Sequence, residues 1–389
     1  MNKMQVISIN KDEWQVGRGE SNHRIILNSN LIPSCECTDF KIKKRCQHIL
    51  ALEKHIFKER EQQNGSNTKI TYSQDWHAYD NSQTNEKILF FKLLKDICCS
   101  VEQPEYKFGR PKIPISYMIF SSALKVYSTF SLRRFISDLK IARECGAINY
   151  VPCYASIGHF LQREDITPIL KELIKLSASP LSSVESSFAV DSSGFSTCRF
   201  ARWFDTKWGK DKKQRIWLKA HLMSGTKTNI VTCAEITEGS KHDAPFLEPL
   251  LKETCERFNV KELSADKGYL SKDNFRAIED SGASPYIPFK SNSNPRSHQD
   301  GTVSLWKKMY YLFMYRQEEF SKCYHLRSNA ETVFHMIKTK FKDSLRSKTK
   351  TAQINELLLK ILCHNICCVI QEMNELGIKG EFVVEEKIR

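Results

Sequence analysis

Two acidic residues sit where a metal-dependent phosphate site would need them. Asp191 follows the apolar run Phe188-Ala189-Val190, and Asp266 follows Leu263-Ser264-Ala265. Carboxylates at the ends of apolar strands are held rigidly beside one another if the strands are neighbours. A third, Glu331, lies in a helical segment that would cross the sheet. Three carboxylates can hold two Mg²⁺ ions and leave positions for water and phosphate oxygens. Such a pair activates a water or 3′-hydroxyl and stabilises the leaving oxygen. Each carboxylate also has an ordinary explanation, because the chain has 45 acidic residues and Asp commonly sits in turns and caps.

The stretch from Tyr324 to Lys338 adds cations to the third carboxylate. As one helix at about 100° per residue, Tyr324, Arg327, Glu331 and Lys338 fall within roughly 60° of each other. Ala330, Val333, Phe334, Ile337 and Phe341 form an adjacent apolar face, which would pack on a core. The alternative is a solvated face with an Arg327/Glu331 pair at i, i+4.

A second constellation is Cys35-Glu36-Cys37, eight residues, then Cys46-Gln47-His48. Cys35, Cys37, Cys46 and His48 offer thiolates and an imidazole, which suit a closed tetrahedral Zn²⁺ site. A bound metal would hold together a segment too small to fold on its own core. Unrelated Cys pairs are the alternative. Lys41, Lys43, Lys44 and Arg45 in the intervening loop suit either phosphate contacts or simple solvation.

The positioning elements follow from the pattern. Gln5–Ile9 and Arg24–Leu27 read as short strands, and Cys46–Arg60 as a helix. Residues 62–87 are polar and read as a linker, followed by a helix over 88–100. From Ile115 to about Ser177 the pattern is helical, with turns near Ser128, Gly146 and Asp165. Strands and helices then alternate as in α/β folds. Strands are expected over 187–190, 216–223, 230–236, 260–265, 284–289 and Met309–Met314. Asp243 reads as the cap of a helix running to Phe258. The last helices end near Leu376. Ile354–Ile370 is apolar but broken by Lys360, His364 and Asn365, so it reads as a packed helix and not a membrane span. The resulting domains are 1–60, with the Cys/His cluster; 61–105, linker and helix; 106–182, helical; 183–378, α/β and carrying the three carboxylates; and 379–389, a tail.

Charge points the same way. The formal net charge is +14, which favours a polyanionic partner such as nucleic acid. The excess clusters: Arg202–Lys219 holds seven basic residues and Phe320–Lys350 eight. The N-terminal residues lack an apolar core of signal-peptide length. Fourteen Cys without such a signal imply a reducing compartment, so a cytoplasmic, nucleoid-associated location is expected.

The order strand, strand, helix for Asp191, Asp266 and Glu331, separated by 75 and 65 residues, carries a resemblance. Tyr324-x2-Arg327-x3-Glu331-x6-Lys338 resembles the Y-R-E-K signature of insertion-sequence DDE transposases. Val190-Asp191-Ser192-Ser193-Gly194 and Ser264-Ala265-Asp266-Lys267-Gly268-Tyr269 are similar to that family's first two acidic motifs, and Asn365-Ile366-Cys367 to its tail helix. The likeness spans roughly Gly109 to Glu375. It implies an RNase H-like catalytic domain, a mixed sheet flanked by helices, and Mg²⁺- or Mn²⁺-dependent cleavage and joining of transposon ends. It further implies that Asp191, Asp266 and Glu331 are metal ligands and that Tyr324, Arg327 and Lys338 contact DNA phosphates. Terminal inverted repeats and target DNA would be the partners, held by a homodimer. The interval before Glu331 leaves little room for the large β insertion of some relatives, so hairpin formation is not implied. The Cys/His cluster, with its flanks from Trp14 to His55, resembles a SWIM zinc finger, which implies a nucleic-acid or protein interaction module. The alternatives are an inactive transposase-derived DNA-binding protein and an RNase H-like nuclease that joins no ends.

Weaker features have ordinary readings. Gly109-Arg110-Pro111 resembles a minor-groove hook but reads as a helix-breaking turn. Trp203 and Trp208 among basic residues suit stacking with backbone contacts, whereas Trp217 reads as core. His221 reads as structural, and the pairs Cys98-Cys99 and Cys367-Cys368 as core packing.

Overall fold

The computed structural model describes residues 4–18, 21–63, 75–105, 108–109, 111–197, 217–295, 304–382 and 388. The N-terminal part is a four-stranded antiparallel sheet, β1 (Gln5–Asn10), β2 (Glu13–Arg18), β3 (Ser21–Leu27) and β4 (Pro33–Cys35), in sequential order. In β3 the alternation of a half-buried sheet puts Ile25 and Leu27 inward. Two helices follow, α1 (Thr38–Lys43) and α2 (Gln47–Gln63). Lys44 closes α1 in the left-handed conformation at φ 54°.

Helix α3 (Trp76–Cys99) begins well inside the expected linker. Asp75 caps it by accepting from the Ala78 N–H at 3.0 Å, satisfying one of the free donors of a helix start. The residues that made 76–87 look like linker include Ser82 and Glu86, both buried. Glu86 is satisfied by the Tyr127 hydroxyl at 2.6 Å and by Lys340. Those partners lie far away in sequence, which is why the segment's polarity misleads. The expected helical region comprises α4 (Ile115–Tyr127), α5 (Ile136–Glu144), α6 (Tyr154–Phe160) and α7 (Ile166–Ala178).

The central sheet is mixed. Its strands β5 (Ser187–Ser196), β6 (Trp217–Gly225), β7 (Val231–Glu238), β8 (Glu262–Ala265) and β9 (Ser284–Tyr286) lie in the order β7-β6-β5-β8-β9. β5, β6 and β7 pair antiparallel, while β8 and β9 join in parallel. Helices α8 (Leu247–Cys255), α9 (Lys272–Asp280), α10 (Leu305–Tyr315), α11 (Gln317–Tyr324), α12 (Ser328–Phe341) and α13 (Lys350–Glu375) complete the fold.

Helix α13 packs against α3, α4 and α7. By length and composition it qualifies as a membrane span, but 83% of its apolar window is buried within the protein. Its polar residues are paired inside the core, as burial requires. Asn355 donates to Leu161 O and Arg163 O, each at 3.0 Å. Lys360 donates to Lys342 O at 2.7 Å and Ser344 O at 3.0 Å.

The strand expected at Met309–Met314 is instead part of α10. Ser304 caps that helix from Lys307 N at 3.2 Å. The run Met309-Tyr310-Tyr311-Leu312-Phe313-Met314 favours strands locally, but the N-terminal segment supplies a surface for a helix. Phe57 packs on Phe313 at 5.9 Å, Trp14 on Tyr315 at 5.6 Å, and the Arg60 guanidinium lies 4.6 Å from the Phe313 ring. Tertiary burial thus overrides local propensity.

Candidate active site

Strand register places the two aspartates. Val190 is paired with Ala265 in the parallel β5–β8 ladder, so Asp191 and Asp266 come next on neighbouring strands. β8 stops at Ala265, and Asp266 caps a 3-10 turn over Lys267–Tyr269 by accepting from Lys267 N at 2.7 Å. β5 does not stop where expected. It runs on to Ser196 with β6 as partner, so Asp191 is a mid-strand residue. Side chains alternate along a strand. Asp191 and Ser193 meet α12 and the turn before it, while Ser192 meets Asp243.

Glu331 arrives from the side. The Ser264 hydroxyl donates to Cys323 O at 3.1 Å, fixing the end of α11 on β8. A 3-10 turn over His325–Arg327 then leads into α12, with Glu331 in its first turn. Tyr324 to Lys338 is therefore two helices joined by a tighter turn, not one continuous helix. The tighter winding of a 3-10 turn moves Tyr324 off the angle a single wheel assigns it. The expected apolar face of α12 is buried at Ala330, Val333, Phe334, Ile337 and Phe341. Phe334 packs on Phe195 of β5 at 6.5 Å.

Arg327 links the strand to the helix. Its guanidinium lies 3.6 Å from Asp191 and 2.5 Å from Glu331. Burial pushes the Asp191 carboxyl above its ordinary value. Its bond from Ser192 N and the Arg327 charge oppose this, while Glu331 and Asp266 raise it further. Glu331 and Asp266 thus both act on the Asp191 carboxyl, and a divalent cation beside it would relieve the repulsion. Their hard oxygen donors fit Mg²⁺ or Mn²⁺. Burial also raises the Tyr324 phenol, with Arg327 opposing and Asp266 and Glu331 adding to the rise. Lys338 is tied back to the same strand. It donates to Ser193 at 2.7 Å and lies 5.1 Å from the centre of the Phe195 ring.

The structure brings a fourth carboxylate into view. Asp243 was expected as a helix cap, yet it makes no side-chain capping bond. It accepts instead from Ser192 and Lys219, each at 2.9 Å. Nothing local in the sequence reveals partners on two strands. His221 is buried, as expected of a structural residue, and stacks on Phe246 at 4.3 Å. Burial lowers its pKa to about 4, against the pull of Asp243.

The Cys/His residues also converge. Cys35 ends β4, Cys37 precedes α1, and Cys46 and His48 flank the start of α2. Their ligand atoms all lie within 4.8 Å of one another. Bonds of about 2.3 Å in a tetrahedron place sulfurs about 3.8 Å apart, so the donor set and spacing fit Zn²⁺. Burial pushes the Cys35 thiol up to about 12, and a cation is what would keep thiolates there. His23 packs on His48 at 4.3 Å. Lys41, Lys43 and Lys44 are exposed, whereas Arg45 turns inward to Glu53 at 2.6 Å.

Other expectations divide. Trp217 is 37% exposed, not core; its ring lies over Gly194, where an added Cβ would come within 3.3 Å of it. Cys98 and Cys368 are buried, but Cys99 is exposed and Cys367 only partly covered. Arg110, Trp203 and Trp208 lie outside the described residues.

Comparison with known proteins adds two findings. The cryo-EM structure of a piggyBac transposase synaptic complex with hairpin DNA aligns at a TM-score of 0.38 and 14% identity, covering 77% of each chain. That likeness is too slight to carry an argument. Residues 182–366, the segment holding all three carboxylates, match the family model of the Transposase DDE domain.

Proposed function

We propose that the chain is a DNA transposase that cleaves and joins the ends of its element by phosphoryl transfer at Asp191, Asp266 and Glu331. One observation carries this most directly. The parallel Val190–Ala265 register sets two aspartates side by side, and Arg327 ties the helix-borne Glu331 to the first of them. The match of residues 182–366 to the Transposase DDE domain supports the reaction class. The sheet order β7-β6-β5-β8-β9, antiparallel on one side and parallel on the other, supports the RNase H-like reading.

In this reading Asp191 and Asp266 supply rigid ligands and Glu331 an adjustable one. When bound, divalent cations activate the attacking oxygen and stabilise the leaving one. The chain's own residues bind and orient the DNA. Arg327, freed from the carboxylates, pairs with a backbone phosphate, as its planar fork suits. Tyr324 and Lys338 contact neighbouring phosphates. Cys35, Cys37, Cys46 and His48 hold a structural Zn²⁺ in a SWIM-type module, with Lys41, Lys43 and Lys44 on its outer side. The helical region 106–182 contributes to binding the inverted repeats. Two copies pair the two ends in a cytoplasmic, nucleoid-associated complex.

The test uses duplexes made from the DNA flanking the gene. Asp191→Ala, Asp266→Ala and Glu331→Ala should each abolish Mg²⁺-dependent strand transfer while duplex binding survives. Normal transfer by any one of them removes that residue from the site. Free cut ends without joined product would make the enzyme a nuclease.

A further inference from the structure

We propose that Asp243 is a positioning residue for the pair Asp191 and Asp266, acting through Ser192 and the turn that follows Asp266. The inference rests on the metal-site reading above. Asp243 lies just before α8, yet it reaches three other elements. Its Oδ1 accepts from the Ser192 hydroxyl of β5 at 2.9 Å and from Lys219 of β6 at 2.9 Å. His221 Nδ1, also on β6, is 3.5 Å away. Its Oδ2 would be 3.8 Å from a Cβ on Gly268, in the turn entered from Asp266.

These contacts meet the catalytic pair from behind. Ser192 is the residue after Asp191, and its N–H already donates to Asp191 Oδ1 at 2.8 Å. Asp243 therefore holds Ser192 by its side chain while Ser192 holds Asp191 by its backbone. Lys219 is itself anchored to Lys241 O at 3.1 Å, so the clamp spans β5, β6 and the loop ahead of α8.

Tyr269 completes the network. It is 1% exposed, with Ser192 beside its hydroxyl and the carboxylates of Asp243, Asp191 and Asp266 nearby. Burial raises its phenol, and those carboxylates raise it further. Residues that orient metal ligands from behind typically change metal affinity by about 10–100-fold when removed.

The test is Mn²⁺ binding to the full-length, zinc-replete chain, followed by electron paramagnetic resonance. Asp243→Ala should weaken binding by about 10–100-fold, and Ser192→Ala should weaken it less. Leu247→Ala, a buried change at the start of α8, should lower stability and leave Mn²⁺ affinity alone. Wild-type affinity in both Asp243→Ala and Ser192→Ala would overturn the proposal. So would equal weakening in Leu247→Ala, since that marks a merely structural effect. Asp191→Ala separates the two levels. If it abolishes binding while Asp243→Ala does not, only the positioning role fails. If Asp191→Ala also binds normally, the metal-site reading itself fails.

Discussion

Asn365 should be among the most costly polar positions in the chain to change. It lies on α13 and is fully buried. Among the described residues β7 is the edge strand of the central sheet, so the outward-facing groups of Val231 need a partner. The Asn365 amide supplies it: its Oδ1 accepts from Val231 N at 2.9 Å and its Nδ2 donates to Val231 O at 2.7 Å. The same nitrogen donates to Ser177 Oγ of α7 at 2.8 Å. A side-chain amide thus stands in for a neighbouring strand and ties helix, sheet edge and α7 together. Three bonds at about 1 kcal/mol each, plus about 1 kcal/mol for a β7 group left buried without a partner, give a loss of roughly 3–5 kcal/mol for Asn365→Ala. That is a large share of a typical folding free energy of about 5–15 kcal/mol. Urea unfolding followed by tryptophan fluorescence measures it. Asn365→Asp keeps an acceptor for Val231 N but loses both donors, so it should also destabilise. A loss below about 1 kcal/mol in Asn365→Ala would refute the reasoning, since it would mean that water or backbone shift satisfies Val231.

Further outcomes follow from the same structure. The purified chain should carry about one Zn²⁺, lost in the Cys35→Ser/Cys37→Ser double variant; a native preparation without metal removes the zinc assignment. Glu372 is buried, with Glu375 and Glu185 nearby, and its pKa is raised to about 7 from 4.5. Between those values the folded state binds the extra proton, so stability falls as pH rises through that window. Glu372→Gln should flatten this dependence and stabilise the chain at pH 8 by on the order of 2 kcal/mol, read from melting curves at several pH values. Lys338→Met should weaken duplex binding across sequences and reduce its salt slope by about one; an unchanged slope places Lys338 away from the phosphates.

Much of the site was legible because its motifs are local. An aspartate after an apolar run, an Arg327/Glu331 spacing of one helical turn, and an apolar face through Phe341 are all short-range patterns, and α12 buries the residues they indicate. The Cys35, Cys37, Cys46 and His48 spacing likewise foretold a cluster, because few residues separate its parts. Errors arose where partners were distant. Residues 309–314 read as a strand until Phe57 and Arg60 gave Phe313 a surface to pack on as part of a helix. Glu86 read as linker polarity until Tyr127 and Lys340 satisfied it.

The sequence by itself determined which groups are available: three carboxylates, the cations beside the third, and a soft-ligand cluster near the N-terminus. Only the tertiary structure decided how they are placed relative to one another. Nothing in either run fixes that Val190 pairs with Ala265, since strand register is settled by burial over the whole sheet. Nor does any local pattern say that Asp243 would abandon a helix cap for Ser192 and Lys219. A hydrogen bond depends on distance in space, and chain folding brings together residues whose separation along the sequence carries no such information.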